Sequence, residues 1–201
     1  MKNNKKNDTA VIDTYYEIRL SGSGGQGLIL AGIILAEAAV LDGFNVAQTQ
    51  SYGPEARGGA SRSDVVISNQ KIFYPKTKNL DLLLALNQAS CDKYFFDLKS
   101  KGILILDTTN ISNVPTSLAF AYPISEYARD KFNNPIVANI ISLGIIQGLT
   151  GIVQKKSMLM AITNRVPAQT HDLNTRAVKF GMELGMKDAA RAMDMLNNLN
   201  E

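Results

Sequence analysis

The sequence predicts an α/β fold: three α/β/α layers around an open, mostly parallel sheet, followed by a helical C-terminal third. Three observations carry this. Asp81–Leu86 and Gly102–Leu106 are short, nearly continuous apolar runs, as expected of interior strands covered on both faces. Helical stretches separate such runs, the pattern of a layered sheet. From about Ser125 onward, helical periodicity dominates.

In chain order, Met1–Thr14 is a polar, Asn/Lys-rich leader expected to be disordered. Its basic start runs into Asn7, Asp8 and Thr9 rather than an apolar core, so it is not a signal peptide. Tyr15–Leu20 reads as a strand that enters a glycine-rich turn. Leu28–Asp42 reads as a helix stopped by Gly43, and Phe44–Gln50 as a second strand. A loop of turn formers follows to Gly59. Asp64–Ser68 is the third strand, with Lys71–Tyr74 expected to pair beside it as a hairpin over Asn69-Gln70. Next come the strand Asp81–Leu86, a helix over Gln88–Lys99, the strand Gly102–Leu106 and a last strand at Ala119–Tyr122. The helices Ser125–Phe132, Ile136–Leu149, Lys156–Arg165, Leu173–Leu184 and Lys187–Leu199 complete the chain. With no repeat and no linker, residues 15–201 read as one domain.

The Leu28–Leu41 helix is apolar nearly all round, so more than one of its faces should be buried. Either the C-terminal helices cover it or a partner does; both readings stand at this point.

Composition excludes whole classes of chemistry. The chain holds one Cys, one His and no Trp. A lone Cys91 cannot form an intramolecular disulfide, a Cys-x-x-Cys pair or an iron–sulfur ligand set, and a lone His171 cannot supply a multi-imidazole zinc site. Cys91 reads as a buried structural thiol. His171 reads as a surface residue near a helix start that Asp172 could cap. The net charge is only +3, and the leader contributes Lys2, Lys5 and Lys6 against Asp8 and Asp13. Such a thin surplus is no nucleic-acid footprint. No stretch reaches the roughly 20 apolar residues of a membrane span, so a cytoplasmic protein is expected.

Two glycine clusters hold the candidate chemistry. Gly22-Ser23-Gly24-Gly25-Gln26-Gly27 has the Gly-x-Gly-x-x-Gly spacing between a strand and a helix. Glycines there permit a tight turn and close backbone approach, and free N–H groups at the helix start favour an anion. The nicotinamide reading also needs an acidic residue ending the second strand, but Gln48-Thr49-Gln50 stands there. The lysine-dependent phosphate loop fails too, because Leu28-Ile29 follows Gly27. The turn either faces a ligand crevice or only packs helix on sheet.

The second cluster, Ser51-Tyr52-Gly53-Pro54-Glu55-Ala56-Arg57-Gly58-Gly59, leaves the carboxyl end of the second strand, the same sheet edge. Arg57 and Arg62 could clamp a phosphate or carboxylate, with Tyr52 as a flat hydroxyl-bearing face. Alternatively this is an exposed loop in which Arg57 pairs with Glu55 or Asp64. Asn139 and Gln147 either bond across from their apolar helix or mark its exposed stripe.

Together the clusters resemble the gamma subunit of the 2-oxoacid:ferredoxin oxidoreductases. The resemblance rests on Gly22–Gly27, the LILAGIILAEAA helix, Gln50–Gly59, Asp64–Ser68 and Tyr74-Pro75. It continues through Asp81–Asn87, Asn139 with Leu143-Gly144, and Leu173-Asn174 with Ala177 and Gly181. The Tyr-Gly-Pro-Glu-Ala-Arg-Gly-Gly wording is closer to the 2-oxoglutarate type. The resemblance implies a Rossmann-like domain and a reaction in which a 2-oxoacid, coenzyme A and oxidised ferredoxin give acyl-CoA, CO2 and reduced ferredoxin. It also implies a hetero-oligomer: alpha and beta thiamine-binding subunits, a ferredoxin-like delta subunit, and ferredoxin as acceptor. Thiamine diphosphate, Mg and iron–sulfur clusters would sit in those partners, and no catalytic residue or metal ligand in this chain. Gly22, Gly24, Gly25, Gln26, Gly27, Tyr52, Arg57, Gly58 and Gly59 would line the coenzyme A side, with Arg57 meeting an anionic group. Two other readings remain: a stand-alone Rossmann-like nucleotide or acyl-CoA binding module, and a purely structural assembly subunit.

Overall fold

The computed structural model describes residues 14–51 and 60–197. The expectation of a disordered leader therefore falls, apart from Thr14, outside the described residues. Six strands form one sheet: β1 (Tyr15–Ser23), β2 (Asn45–Ser51), β3 (Ala60–Ser68), β4 (Leu80–Ala85), β5 (Leu98–Asp107) and β6 (Phe120–Tyr122), in the order β2-β3-β1-β4-β5-β6. β1, β4, β5 and β6 are successive parallel neighbours, whereas β3 runs antiparallel between β2 and β1. All strands but β3 point the same way, so the sheet is mostly parallel, as expected.

The helices are α1 (Leu28–Leu41), α2 (Gln88–Tyr94), α3 (Ile124–Asp130), α4 (Ala138–Thr150), α5 (Lys155–Arg165), α6 (His171–Lys187) and α7 (Ala189–Asn197). On one sheet face, Ile18, Leu20, Leu82, Leu84, Ile103 and Ile105 pack with apolar side chains of α1 and of α3 through α7. On the other, Leu83, Ala85, Leu104 and Leu106 meet Cys91 and Tyr94 of α2. The alternation along β4 and β5 sends neighbouring leucines to opposite layers, which is why these strands read as unbroken apolar runs. α4 and α6 cross closely because Gly144 and Gly148 on one face Gly181 and Gly185 on the other. A Cβ at Gly181 would lie 3.0 Å from the Cα of Gly144.

The reading in which the chain's own C-terminal helices cover α1 holds for one side of the helix. Its inner side packs on the sheet and against α5, with Gly32 set against Ser63, while Ile33, Ala36 and Val40 stay partly open beside β2. Two sequence expectations are corrected. Lys71–Tyr74 forms no strand: both edges of β3 are already taken by β1 and β2, and the Gln70 N–H donates to Ser68 Oγ at 2.9 Å. The helix expected over Gln88–Lys99 ends at Tyr94. A 3₁₀ turn at Phe95–Asp97 follows, and Leu98 opens β5. Asp97 is drawn to the buried Arg19 and Lys99 to Asp81, so these tertiary ion pairs override helix continuation. Among the described residues no helix is long and apolar enough to cross a membrane.

Candidate functional site

The glycine turn sits at the carboxyl edge of the parallel strands. Gly22 and Ser23 end β1, and Gly27 caps α1 with φ of 70°, a left-handed conformation. A Cβ at Gly27 would also collide with the Asn139 side-chain amide. Both reasons require glycine there. Gly27 O accepts from Ala31 N at 3.0 Å, opening the helix. The N–H groups before Ala31 have no acceptor within the helix. No side chain caps this end and its first turn holds no acidic residue. The helix therefore offers uncompensated donors and the positive end of its dipole at the turn.

Gln26 and two asparagines hold the turn. The Ser23 N–H donates to Gln26 Oε1 at 2.6 Å, folding the Gln26 side chain back into the loop. Its Nε2 remains unpaired among the described residues and offers a donor. Asn139, in the first turn of α4, donates through Nδ2 to Gly27 O at 3.1 Å, while its buried Oδ1 accepts no hydrogen bond. Asn87 caps α2 by accepting from Ser90 N at 2.8 Å and donates to Ser23 Oγ at 2.6 Å. Of these, Asn139 bonds across as one sequence reading allowed, whereas Gln147 donates to Val153 O at 3.3 Å within its own neighbourhood. Asn87 escaped the sequence reading of the site. Its signal was a helix-capping residue directly after an interior strand.

Gly22, Gly24, Gly25, Gln26 and Gly27 are thus brought together. Tyr52, Arg57, Gly58 and Gly59 lie outside the described residues. Their flanks do not: Ala60 pairs with Ser23, Ser61 with Gly22, and Ser51 with Arg62. The second glycine cluster therefore rejoins the sheet at Ala60, beside the first, and leaves it at Ser51, one strand further out at the same edge.

On the α2 face of the sheet lies a polar network that reaches toward the strand ends opposite the glycine turn. Arg19, 3% exposed, forks onto Asp64 with Nε–Oδ1 at 2.7 Å and Nη2–Oδ2 at 3.0 Å, and also pairs with Asp97. Thr77 Oγ1 accepts from Arg19 at 2.9 Å and donates to Asp64 at 2.8 Å. The Tyr94 ring lies 4.8 Å from the Arg19 guanidinium. Burial alone would ease Arg19 toward neutrality, but the bonds to Asp64 and Asp97 outweigh it and hold the guanidinium more firmly charged. Asp64 is thereby held mainly by Arg19, with Arg62 Nε more distant at 3.8 Å from its Oδ2.

Cys91 is fully buried, and burial, with Asp92 next to it, pushes its thiol up from the ordinary 9.0 to about 11. It is no nucleophile near neutrality. His171 opens α6 with Nε2 3.1 Å from Val166 O. Asp172 does not cap that helix; it pairs one turn on with Arg176 at 2.9 Å. Among the described residues no group of three or more His, Cys, Asp or Glu side chains is arranged to hold a metal ion.

An open, mostly parallel sheet whose glycine turn opens a helix at the carboxyl edge, with a second loop rooted near it, defines an open α/β domain of the Rossmann-like kind. Residues 17–184 match the family model described as pyruvate ferredoxin/flavodoxin oxidoreductase. The 2-oxoglutarate synthase subunit KorC of Methanocaldococcus jannaschii is 47% identical over 174 residues, covering 84% of this chain and 92% of that protein. The keto/oxoacid ferredoxin oxidoreductase gamma subunit of Geobacter sulfurreducens matches with a TM-score of 0.80 at 44% identity, over 87% of this chain and 98% of that one. The 2-oxoglutarate:ferredoxin oxidoreductase of Magnetococcus marinus, solved with 2-oxoglutarate, coenzyme A and succinyl-CoA bound, shares the fold. Its TM-score is 0.76 at 21% identity, over 86% of this chain and 31% of that one. This chain belongs to the pyruvate ferredoxin/flavodoxin oxidoreductase family.

Proposed function

We infer that this chain is the gamma subunit of a 2-oxoglutarate:ferredoxin oxidoreductase. The complex joins 2-oxoglutarate and coenzyme A into succinyl-CoA, releases CO2 and passes the electrons to ferredoxin. Support for the oxoacid comes from the KorC relatives, 2-oxoglutarate synthase subunits in several organisms. The observation that carries the site is the Ser23–Ala60 pairing, which roots the two glycine-bearing loops side by side.

On this reading the two loops line the approach of coenzyme A. Gly22, Gly24, Gly25 and Gly27 allow its close passage, and Gln26 Nε2 donates to it. Arg57 meets an anionic group of coenzyme A or the oxoacid, flanked by Tyr52, Gly58 and Gly59. Thiamine diphosphate, Mg and the iron–sulfur clusters belong to the alpha, beta and ferredoxin-like delta subunits. A single buried thiol does not fit a cluster, so this chain's part is to bind and orient. We place the assembly in the cytoplasm.

The test is reconstitution. Alone, the chain should be inert and should not bind NAD(H). With the thiamine-binding subunits it should restore 2-oxoglutarate- and coenzyme A-dependent ferredoxin reduction. Micromolar NAD(H) binding by the isolated chain would overturn the subunit reading in favour of a nucleotide-binding module. A preference for pyruvate would overturn the oxoacid assignment.

A further inference from the structure

The segment Asn69–Asn79, which crosses from β3 to β4, absorbs none of the site's chemistry yet is built with care. Its ends are pinned. Asn69 N donates to Thr14 O at 3.1 Å, and Asn69 Oδ1 accepts from Thr14 N at 3.0 Å. Thr77 joins the buried Arg19–Asp64 pair, and Glu17 Oε2 accepts from Asn79 N at 2.8 Å. Between these anchors the chain displays Phe73 at 85% exposure and Tyr74 at 49%. An ammonium flanks each ring: Lys71 Nζ lies 5.3 Å from the Phe73 centroid and Lys78 Nζ 4.7 Å from that of Tyr74. The exposed Lys76 lies between them in sequence, and no Asp or Glu occurs from Asn69 to Asn79. None of the three lysines forms an ion pair among the described residues.

Two adjacent aromatic rings held in water by an anchored loop form a pre-organised contact, because little ordering remains to be done on docking. Large aromatics dominate the energy of protein interfaces, and unpaired positive charge around them selects a negative rim on the partner. The chain's own leader is a poor complement. It continues back from Thr14 at the foot of this ridge, but Lys2, Lys5 and Lys6 outnumber Asp8 and Asp13. We propose that Asn69–Asn79 is a docking ridge for an apolar, carboxylate-rimmed surface on another subunit of the enzyme; this rests on the reading of the chain as part of a hetero-oligomer. The ridge lies at the end of the strands away from the glycine turn, because β3 leaves that turn at Ala60 and reaches Asn69 at its far end. Docking and ligand approach therefore use different edges of the domain.

The experiment coexpresses the full chain with affinity-tagged thiamine-binding subunits and measures its retention on them. Phe73→Ser with Tyr74→Ser, and separately Lys76→Glu with Lys78→Glu, change exposed side chains only, and unchanged melting of each purified variant verifies the fold. Retention of each variant should fall at least about tenfold, and wild-type retention should weaken with rising salt. Wild type retained with both variants held equally well overturns the ridge alone. If the variants instead convert a dimer of the isolated chain to monomer, the occupant is a second copy and the proposal fails. A wild-type chain that is not retained at all overturns the ridge and the hetero-oligomer reading together.

Discussion

The Asn139 side chain donates to the Gly27 carbonyl at 3.1 Å, tying the first turn of α4 to the cap of α1 across 112 residues of sequence. One amide thus couples the helical C-terminal third to the glycine turn. Asn139→Ala should destabilise the chain by about 1–2 kcal/mol in urea unfolding. In the reconstituted enzyme it should raise the KM for coenzyme A roughly threefold or more, since small misplacements of a positioning loop are costly. An unchanged KM would show that the clamp serves only the fold.

Gly27→Ala meets two penalties, a side chain at φ of 70° and a collision with the Asn139 amide. A cost of about 1–2 kcal/mol is expected from the backbone alone, and more with the collision. The double variant with Asn139→Ala should cost less than the sum of the two, because removing the amide relieves the clash. Thermal melting of the four proteins measures that coupling.

Arg19→Met takes from the buried Asp64 its forked partner and leaves it only the more distant Arg62, whose Nε lies 3.8 Å from Oδ2. The expected loss is about 3–5 kcal/mol, read as a lower urea midpoint. Arg19→Met combined with Asp64→Leu should recover part of it, since the buried carboxylate that has lost its main partner goes too. A single variant as stable as wild type would contradict the network's role in fixing β3 beside β1.

Cys91 supplies a pH signature. Its folded thiol is raised to about 11 against 9.0 ordinarily, so the folded state holds its proton where the unfolded chain releases it. The stability this contributes is complete below pH 9 and is lost as pH rises toward 11. Cys91→Ala should flatten that decline. Thiol labelling of the native chain at pH 8 should be slow and should become fast only on unfolding.

The apolar runs at Asp81–Leu86 and Gly102–Leu106 announced buried strands because leucine and isoleucine on both faces leave no polar alternation to misread. The glycine turn was legible for a similar local reason, its strand, spacing and helix being contiguous. Arg19–Asp64 was not. Those residues pair only because β3 inserts antiparallel between β2 and β1, a non-local choice that no short window encodes. The overlong helix at Gln88–Lys99 fails for the same reason, since Asp97 and Lys99 answer to partners on β1 and β4. Asn87 looked like an ordinary helix cap until the parallel β1–β4 pairing set it beside Ser23.

Gly24 offers the cleanest test of the site. A Cβ there meets nothing within 4 Å, and its φ is not left-handed, so alanine leaves the turn intact. Any effect of Gly24→Ala then reports on what approaches from outside. In the reconstituted enzyme the variant should melt like wild type, keep its KM for 2-oxoglutarate and raise the KM for coenzyme A about tenfold, with Arg57→Ala raising a KM as well. An unchanged KM for coenzyme A in Gly24→Ala, with Arg57→Ala also indistinguishable from wild type in both KM values and in turnover, would contradict a coenzyme A-facing role for the two glycine loops.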